Sequence, residues 1–166
     1  MRLKTFLLAP FLPVLLGGCQ AQELTDAVPE VLATYPHDTD AFTQGLLLYE
    51  NRFFESTGLY GESTLREVVP ETGEVVREVA VPPQYFAEGL TLVGDRLIQI
   101  TWREGEAFVY DLETFEQTDT LTYSGEGWGL CYDGEDIIMS DGSATLTRRD
   151  PETFEVLGSY GVTLGG

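Results

Sequence analysis

An internal repeat constrains the fold of this chain more than any other feature of its sequence. The segment FTQGL at 42–46 recurs as FAEGL at 86–90, and Trp128-Gly129-Leu130 continues the same register, at spacings of 44 and 40 residues. Each copy leads into an apolar segment, a polar turn and a second apolar segment. A period of about 40 residues is typical of repeat architectures in which each copy forms one structural unit.

The composition of each repeat predicts four antiparallel strands. β-Branched and aromatic residues alternate between closely spaced turn signals, and no long helical period is present. The turn signals are Glu50-Asn51, Gly94-Asp95 and Asp133-Gly134, followed later in each repeat by PETGEV, LETFEQ and PETFEV. Four strands in about 40 residues match one blade of a β-propeller. A β-sandwich is the alternative, and it explains the strands but not the repeat. We therefore predict an all-β chain with about three four-stranded propeller blades in residues 35–166.

The propeller geometry predicts where the equivalent residues meet. The first strand of each blade lines the central channel, so Gln44, Glu88 and Trp128 are expected to converge there. The glycine that follows each of them allows the backbones to approach closely near a crowded axis. Propellers close with roughly four to eight blades, so we expect a fragment of a longer propeller. A three-bladed protein and a multimer that completes a ring are the alternatives.

The first 34 residues are predicted to lie outside the propeller. Residues 1–18 have a basic start and an apolar run that is too short to span a bilayer, as in a signal peptide. Leu-Gly-Gly-Cys at 16–19 resembles a bacterial lipobox, which implies cleavage before Cys19 and lipidation of that residue; a plain secretory signal is the alternative. Residues 19–34 are predicted to be a tether that passes into an edge strand. We expect an exported chain, lipid-anchored to the bacterial cell envelope at the outer membrane or in the periplasm.

The charge balance excludes one class of partner. The chain has 28 acidic and 9 basic residues and a formal net charge of −19. Such a surface repels phosphate backbones, so nucleic acid is not expected as a partner. Solubility explains the charge, and adaptation to a salty medium is a sharper hypothesis.

The remaining polar candidates have structural interpretations. Cys131 lies in an apolar run and is predicted to be a small buried residue. A metal site is not expected, because His37 is the only histidine and the cysteines lack ligand spacing. Glu55, Asp141 and the pair His37-Asp38 are interpreted as turn or interblade hydrogen-bonding groups.

Six segments together resemble a known family. They are HDTDAFTQGL, ESTGLYGES, YFAEGLT, QITW, EGWGL and SDGS, which occur in this order from about Tyr35 to the C-terminus. The set is similar to the plant-type glutaminyl-peptide cyclotransferases, also called glutamine cyclotransferases, which occur in bacteria as well. The resemblance implies a five-bladed propeller that converts an N-terminal glutamine of peptides or proteins into pyroglutamate and releases ammonia. It implies no metal or organic cofactor.

The resemblance also implies the roles of individual residues. Glu88 matches the acid/base residue of the family, and the matching substrate-binding positions are Phe42, Gln44, Phe86, Trp102 and Trp128. The family continues beyond the position of Gly166 with an asparagine-bearing LNELE-like segment, a further tryptophan and a channel lysine. We therefore expect little or no activity from the 166-residue chain alone. The alternative function is a non-catalytic binding or scaffold propeller at the cell surface.

The chemistry of cyclisation agrees with these residue types. One carboxyl group can accept a proton from the attacking α-amine and deliver it to the departing amide nitrogen. Aromatic walls remove water from such a carboxyl and raise its pKa toward neutrality. Gln44 does not titrate, so it can hydrogen-bond substrate amide groups without changing the proton balance.

Overall fold

A computed structural model describes residues 27–163, which form three antiparallel four-stranded sheets in chain order, each of them one blade. Blade 1 contains β1 (Thr43–Tyr49), β2 (Arg52–Thr57), β3 (Thr64–Val68) and β4 (Val75–Ala80). Blade 2 contains β5 (Ala87–Val93), β6 (Arg96–Thr101), β7 (Glu106–Asp111) and β8 (Gln117–Thr122). Blade 3 contains β9 (Leu130–Tyr132), β10 (Ile137–Ser140), β11 (Thr145–Arg149) and β12 (Val156–Gly161). The prediction of an all-β chain with three four-stranded propeller blades is confirmed.

The first hairpin of each blade turns at the predicted residues. Glu50 and Asn51 connect β1 to β2 with φ angles of 48° and 60°, a conformation that two-residue hairpins favour because its twist matches that of the strands. Gly94 and Gly134 occupy the corresponding turns of blades 2 and 3 with φ angles of 61° and 101°. Short turns of this kind keep consecutive strands adjacent within each blade.

Hydrophobic side chains fill two layers, one between each pair of neighbouring blades. Phe54, Leu65 and Leu97 belong to the layer between blades 1 and 2. Ile98 and Ile137 belong to the layer between blades 2 and 3. Successive residues of β6 therefore point into different layers, and both faces of blade 2 are buried. Because both faces are covered, β6 is almost continuously buried. In a sheet with one solvent-exposed face, buried and exposed residues would alternate along the strand.

In blades 2 and 3, an aromatic turn residue joins the blade to the one before it. Phe115 and Phe154 lie between the third and fourth strands of blades 2 and 3, with φ angles of 59° and 62°. Both rings are buried in the interblade layers, and Phe115 lies 6.1 Å from Phe54 of blade 1. A positive φ is strained for a bulky residue, so burial of the ring has to offset that cost. In blade 1 the equivalent residue is Gly73, where a Cβ would lie 2.6 Å from the backbone oxygen of Pro36.

The repeated glycines lie where the first strands approach one another. A Cβ on Gly45 would lie 2.7 Å from the backbone nitrogen of Leu90, and a Cβ on Gly89 would lie 2.6 Å from that of Leu130. The amide of Gly89 also donates a hydrogen bond of 2.8 Å to the carbonyl of Trp128 in the next blade. The predicted close approach is confirmed at both glycines, and it places the residues before them side by side.

The prediction of a buried Cys131 is wrong, because the side chain is exposed. Cys131 lies on β9 in a groove lined by the first strands of the three blades, and the groove leaves it accessible. Residues 27–42 form no strand, and the chain enters β1, at the edge of the first sheet, at Thr43.

The predicted signal peptide at 1–18 and the lipidation site Cys19 lie outside the described residues. Of the predicted tether at 19–34, the structure describes residues 27–34, which are exposed and irregular. Across residues 27–163 we find no helix of the length and apolar character that crossing a membrane requires.

Candidate functional site

Five of the six predicted pocket and catalytic residues line one cavity at the end of the first strands. The cavity has a volume of about 220 Å³ and is lined by Gln44, Phe86, Glu88, Trp102 and Trp128. The remaining predicted residue, Phe42, does not line it. The Phe42 ring lies behind Phe86, with the ring centres 6.2 Å apart and the planes nearly perpendicular. All three blades contribute to the cavity, as the repeat predicted.

Irregular strand pairing aims the two central polar side chains into the cavity. The pairing of β1 with β2 shifts register between Thr43 and Gly45, at Gln44. The pairing of β5 with β6 shifts between Ala87 and Leu90, at Glu88 and Gly89. An extra residue bends a strand and redirects its side chains, and such bulges often occur beside active sites. The bulges explain how neighbouring first strands present Gln44 and Glu88 to one space.

Phe86 is the centre of the aromatic wall. Its ring lies edge-on to Trp102 at 5.6 Å and to Tyr60 at 5.5 Å, distances at which aromatic pairs attract. Gly58 makes room for it, since a Cβ there would lie 2.4 Å from the Phe86 ring. The glycine of the ESTG segment is therefore needed for shape, which the sequence motif alone did not reveal.

Trp128 is held in a similar way by the SDGS segment. Gly142 has a φ of +79°, and a Cβ there would lie 2.7 Å from the Trp128 indole. The turn before it is closed by Asp141, whose carboxylate accepts hydrogen bonds from the backbone and hydroxyl of Ser143. This confirms the interpretation of Asp141 as a turn residue. The Trp128 side chain stays partly exposed and forms the outer edge of the cavity.

Glu88 is the titratable group that lines the cavity. Burial among the aromatic rings raises its pKa to about 7, because removal of water disfavours the charged carboxylate. The Gln44 amide opposes this rise by a polar contact, and the negative charge of Glu126 reinforces it. A carboxyl group with a pKa near neutrality can both accept and donate a proton at physiological pH.

Glu126 and Tyr60 are site residues that the sequence did not single out. The carboxylate of Glu126 accepts hydrogen bonds from the indole N–H groups of Trp102 and Trp128, at 2.9 and 3.1 Å. The hydroxyl of Tyr60 donates a hydrogen bond of 2.9 Å to Glu104 at the rim of the site. Both residues lie in segments that carry the family resemblance, EGWGL and ESTGLYGES. Only their tertiary contacts distinguish them from other residues of those segments.

A buried acid outside the cavity has a structural role. Glu55 is buried on β2 and accepts hydrogen bonds from His37, at 2.8 Å, and from Thr43. Asp38 pairs with Arg66 at 2.9 Å. These contacts tie the segment before β1 to blade 1, which agrees with the hydrogen-bonding role predicted for these residues. Within residues 27–163 no group of three or more His, Cys, Asp and Glu side chains is arranged to hold a metal ion.

Comparisons with known proteins point to one family. A family model described as glutamine cyclotransferase matches residues 11–166. A glutaminyl-peptide cyclotransferase of Arabidopsis thaliana is 45% identical over 139 residues, which cover 82% of this chain and 43% of that protein. The chain therefore spans less than half the length of this curated relative.

Solved structures support both the fold and the family. The crystal structure of glutaminyl cyclase from Myxococcus xanthus matches with a TM-score of 0.71 and 42% identity, over 78% of this chain and 54% of that one. The WD40 domain of Neurospora crassa Pan2 matches with a TM-score of 0.60 at 11% identity, over 72% of this chain and 36% of that one, and shows the propeller-like fold alone. Because the family model matches more than half of the chain, the chain belongs to the glutamine cyclotransferase family.

Proposed function

We propose that this site serves the intramolecular cyclisation of an N-terminal glutamine to pyroglutamate, with release of ammonia. The observation that carries the proposal is Glu88: a half-buried carboxyl group with a pKa of about 7, facing a cavity walled by aromatic rings. The proposed substrates are peptides or proteins that begin with glutamine. The names of the two similar proteins support this substrate class.

The proposed reaction uses one carboxyl group for both proton transfers. The neutral α-amine of the substrate attacks the carbon of its own γ-carboxamide, and a new C–N bond closes the five-membered ring. The carboxylate of Glu88 accepts a proton from the attacking nitrogen and delivers it to the amide nitrogen. The bond between the carbonyl carbon and that nitrogen then breaks, and ammonia leaves. The proton balance is closed, since Glu88 ends as it began.

The other cavity residues bind and orient the substrate. Gln44 offers a neutral amide that hydrogen-bonds the substrate amide. Phe86, Trp102 and Trp128 enclose the aliphatic part of the glutamine side chain and favour the curled conformation that ring closure needs. Holding two reacting groups in this geometry can lower a barrier by several kcal/mol.

Ammonia release from a glutaminyl dipeptide tests the proposal. The assay compares the 166-residue chain with a version extended to the length of the relatives, because the chain spans only 43% of the curated one. We expect turnover in the extended version and little in the chain alone. In the Glu88→Gln variant of the extended version, turnover should fall at least about 100-fold, the usual contribution of a general acid or base. Unchanged turnover in that variant would contradict the role of Glu88.

The same assay separates the enzyme from a binding module. A binding module binds glutaminyl dipeptides without releasing ammonia in either version, and an asparaginyl dipeptide is the control for side-chain length. The family match and the raised pKa of Glu88 favour the enzyme, since binding alone has no need of a group that titrates near neutral pH.

We also propose export and lipid anchoring at Cys19, on the basis of the apolar run and the Leu-Gly-Gly-Cys segment at 16–19. In a bacterial host, the chain should fractionate with the cell envelope, and the Cys19→Ser variant should lose this association. A Cys19→Ser variant that remains with the envelope would contradict the anchor.

A further inference from the structure

The register of the repeat places Glu126 where the other blades have phenylalanine. Counting back two residues from Gln44, Glu88 and Trp128 gives Phe42, Phe86 and Glu126. The residues shortly after the second strand of each blade are also in register, so Gly58, Trp102 and Gly142 occupy equivalent positions. Backbone contacts support this alignment, because Gly58 donates to the carbonyl of Phe42 and Trp102 donates to that of Phe86, both at 2.8 Å.

The same pair of positions meets at both blade interfaces, with different chemistry. Between blades 1 and 2, the Phe86 ring packs on Gly58, where a Cβ would lie 2.4 Å from the ring. Between blades 2 and 3, the equivalent residues are Glu126 and Trp102. Their contact is a hydrogen bond of 2.9 Å from the indole Nε1 to the carboxylate Oε2. An apolar contact in one interface is thus replaced by a polar one in the next.

The carboxylate of Glu126 connects both tryptophans of the cavity. The oxygen that accepts from Trp102 also accepts from Trp128 Nε1 at 3.1 Å. The other oxygen accepts from Arg103 Nε at 3.1 Å, and the guanidinium carbon of Arg103 lies 3.5 Å from the centre of the Trp102 ring. The Trp102 indole is therefore held at its N–H edge by an anion and on its face by a cation.

Glu126 is charged in this arrangement. Hydrogen bonds from Trp128 and Trp102, together with the Arg103 contact, lower its pKa below the ordinary value for a glutamate. Hydrogen bonds to a charged acceptor are stronger than bonds between neutral groups. The carboxylate thus orients the two indoles more firmly than aromatic packing alone, particularly the half-exposed Trp128.

We propose that Glu126 is a positioning residue of the site, whose carboxylate fixes both indole walls of the cavity across the interface between blades 2 and 3. This arrangement, in which the Glu126 carboxylate holds the indoles of Trp102 and Trp128, is called the clamp below, and it rests on contacts within the protein. Its consequence for substrate binding rests on the proposed function.

The same charge acts on Glu88. Of the groups around Glu88, Gln44 and the aromatic walls are neutral, and the negative charge that raises its pKa belongs to Glu126. Arg103, the cation bound to Glu126, is 56% exposed and Glu126 itself is 39% exposed, so solvent screens both charges. Burial is the main cause of the raised pKa of Glu88, and the negative charge of Glu126 adds a smaller contribution in the same direction.

Indole N–H resonances of the 166-residue chain test the clamp directly. Trp102 and Trp128 are the only tryptophans in the sequence, so a ¹⁵N-labelled chain gives two indole N–H signals and both report on Glu126. In Glu126→Ala, we expect both signals to move upfield and to exchange faster with solvent. In Glu126→Gln, which keeps an acceptor but loses the charge, we expect smaller shifts of both signals.

Glu104→Gln is the matched control. It removes a carboxylate from the same rim, one that bonds Tyr60 and not the indoles. If Glu126→Gln leaves both indole signals within the shifts seen for Glu104→Gln, the clamp is wrong. The Gln variant keeps the test valid if Glu126→Ala does not fold.

The effect of the Glu126 charge on the pKa of Glu88 has its own measurement. Tryptophan emission followed against pH should show a transition near the pKa of Glu88, and Glu88→Gln should abolish it. Glu126→Gln should move the midpoint to lower pH, because a negative charge that favours the protonated carboxyl is removed. A midpoint that stays unchanged would overturn this part. Neither measurement needs substrate or turnover, so its failure is distinct from failure of the proposed cyclisation.

Discussion

At the scale of single residues, Glu88 shows how a half-buried acid costs stability. Its pKa in the folded chain, about 7, lies above the ordinary value of 4.5, because burial disfavours the charged form. A raised carboxyl pKa contributes stability that is fully present below the unfolded pKa, is lost as pH rises, and is gone above the folded pKa. The cost of the buried charge therefore appears between about pH 4.5 and pH 7.

We predict that Glu88→Gln stabilises the chain at pH 8 and has no effect at pH 4. The expected gain at pH 8 is about 1–2 kcal/mol, reduced by solvent screening of a half-exposed group. Thermal unfolding across this pH range measures it. Glu116→Gln, at an exposed acid in a turn, is the control and should show no such dependence. An equal effect of Glu88→Gln at both pH values would contradict the assignment.

A second residue-scale prediction concerns the glycine behind Trp128. Gly142→Ala adds a Cβ that would lie 2.7 Å from the indole, at a φ of +79°. The backbone strain should cost about 1–2 kcal/mol, and the indole should shift, which tryptophan emission detects. Gly61→Ala is a matched control, since Gly61 has a φ of +83° and open space around it. We expect similar strain in both variants but an emission change only in Gly142→Ala; an unchanged emission there would contradict the packing.

At the scale of elements, the turns between third and fourth strands join neighbouring blades. The sequence predicts turns at LETFEQ and PETFEV, but it does not indicate that their phenylalanines are core residues. The reason is physical: a turn residue is usually exposed, and only the approach of a neighbouring blade buries it. The strand bulges at Gln44 and Glu88 were missed for a similar reason, since alternation indicates a strand without revealing an extra residue in its pairing.

We predict that Phe154→Ala destabilises the chain by about 3–5 kcal/mol, the usual cost of removing a buried phenylalanine ring. The ring packs in the layer between blades 2 and 3, 5.9 Å from Tyr123, and it lies under the Arg149 guanidinium. Chemical denaturation measures the change. Tyr160→Ala removes a ring that is 44% exposed and should cost far less. Comparable losses in the two variants would show that the turn does not join the blades.

At the scale of the whole molecule, charge repulsion opposes compactness. Among residues 27–163, six of the seven arginines form ion pairs with carboxylates, and Arg149 is buried without one. Many acids still lack a basic partner, because the chain has 28 acidic residues and only 9 basic ones. Exposed ion pairs contribute little, typically below about 1 kcal/mol each, so salt removes little stability by weakening them. The same salt screens the repulsion among all the remaining acids.

We therefore predict that the melting temperature rises when NaCl is increased from about 0.05 to 1 M, as the Debye length falls from roughly 14 to 3 Å. An uncharged osmolyte at equal osmolality is the control for excluded-solute effects. A melting temperature that is constant or lower in 1 M salt would contradict the idea that repulsion dominates, and with it the hypothesis of adaptation to a salty medium.

The sequence by itself determined the fold class, the number of blades in this chain, the family and the convergence of Gln44, Glu88 and Trp128. A period of about 40 residues with strand alternation is compatible with few architectures, and equivalent positions in a propeller must meet at the axis. Only the tertiary structure decided that Glu126 holds both indoles, that Gly58 and Gly142 make room for the walls, and that Cys131 is exposed. These features depend on contacts between blades, and such contacts leave no periodic signal along the chain.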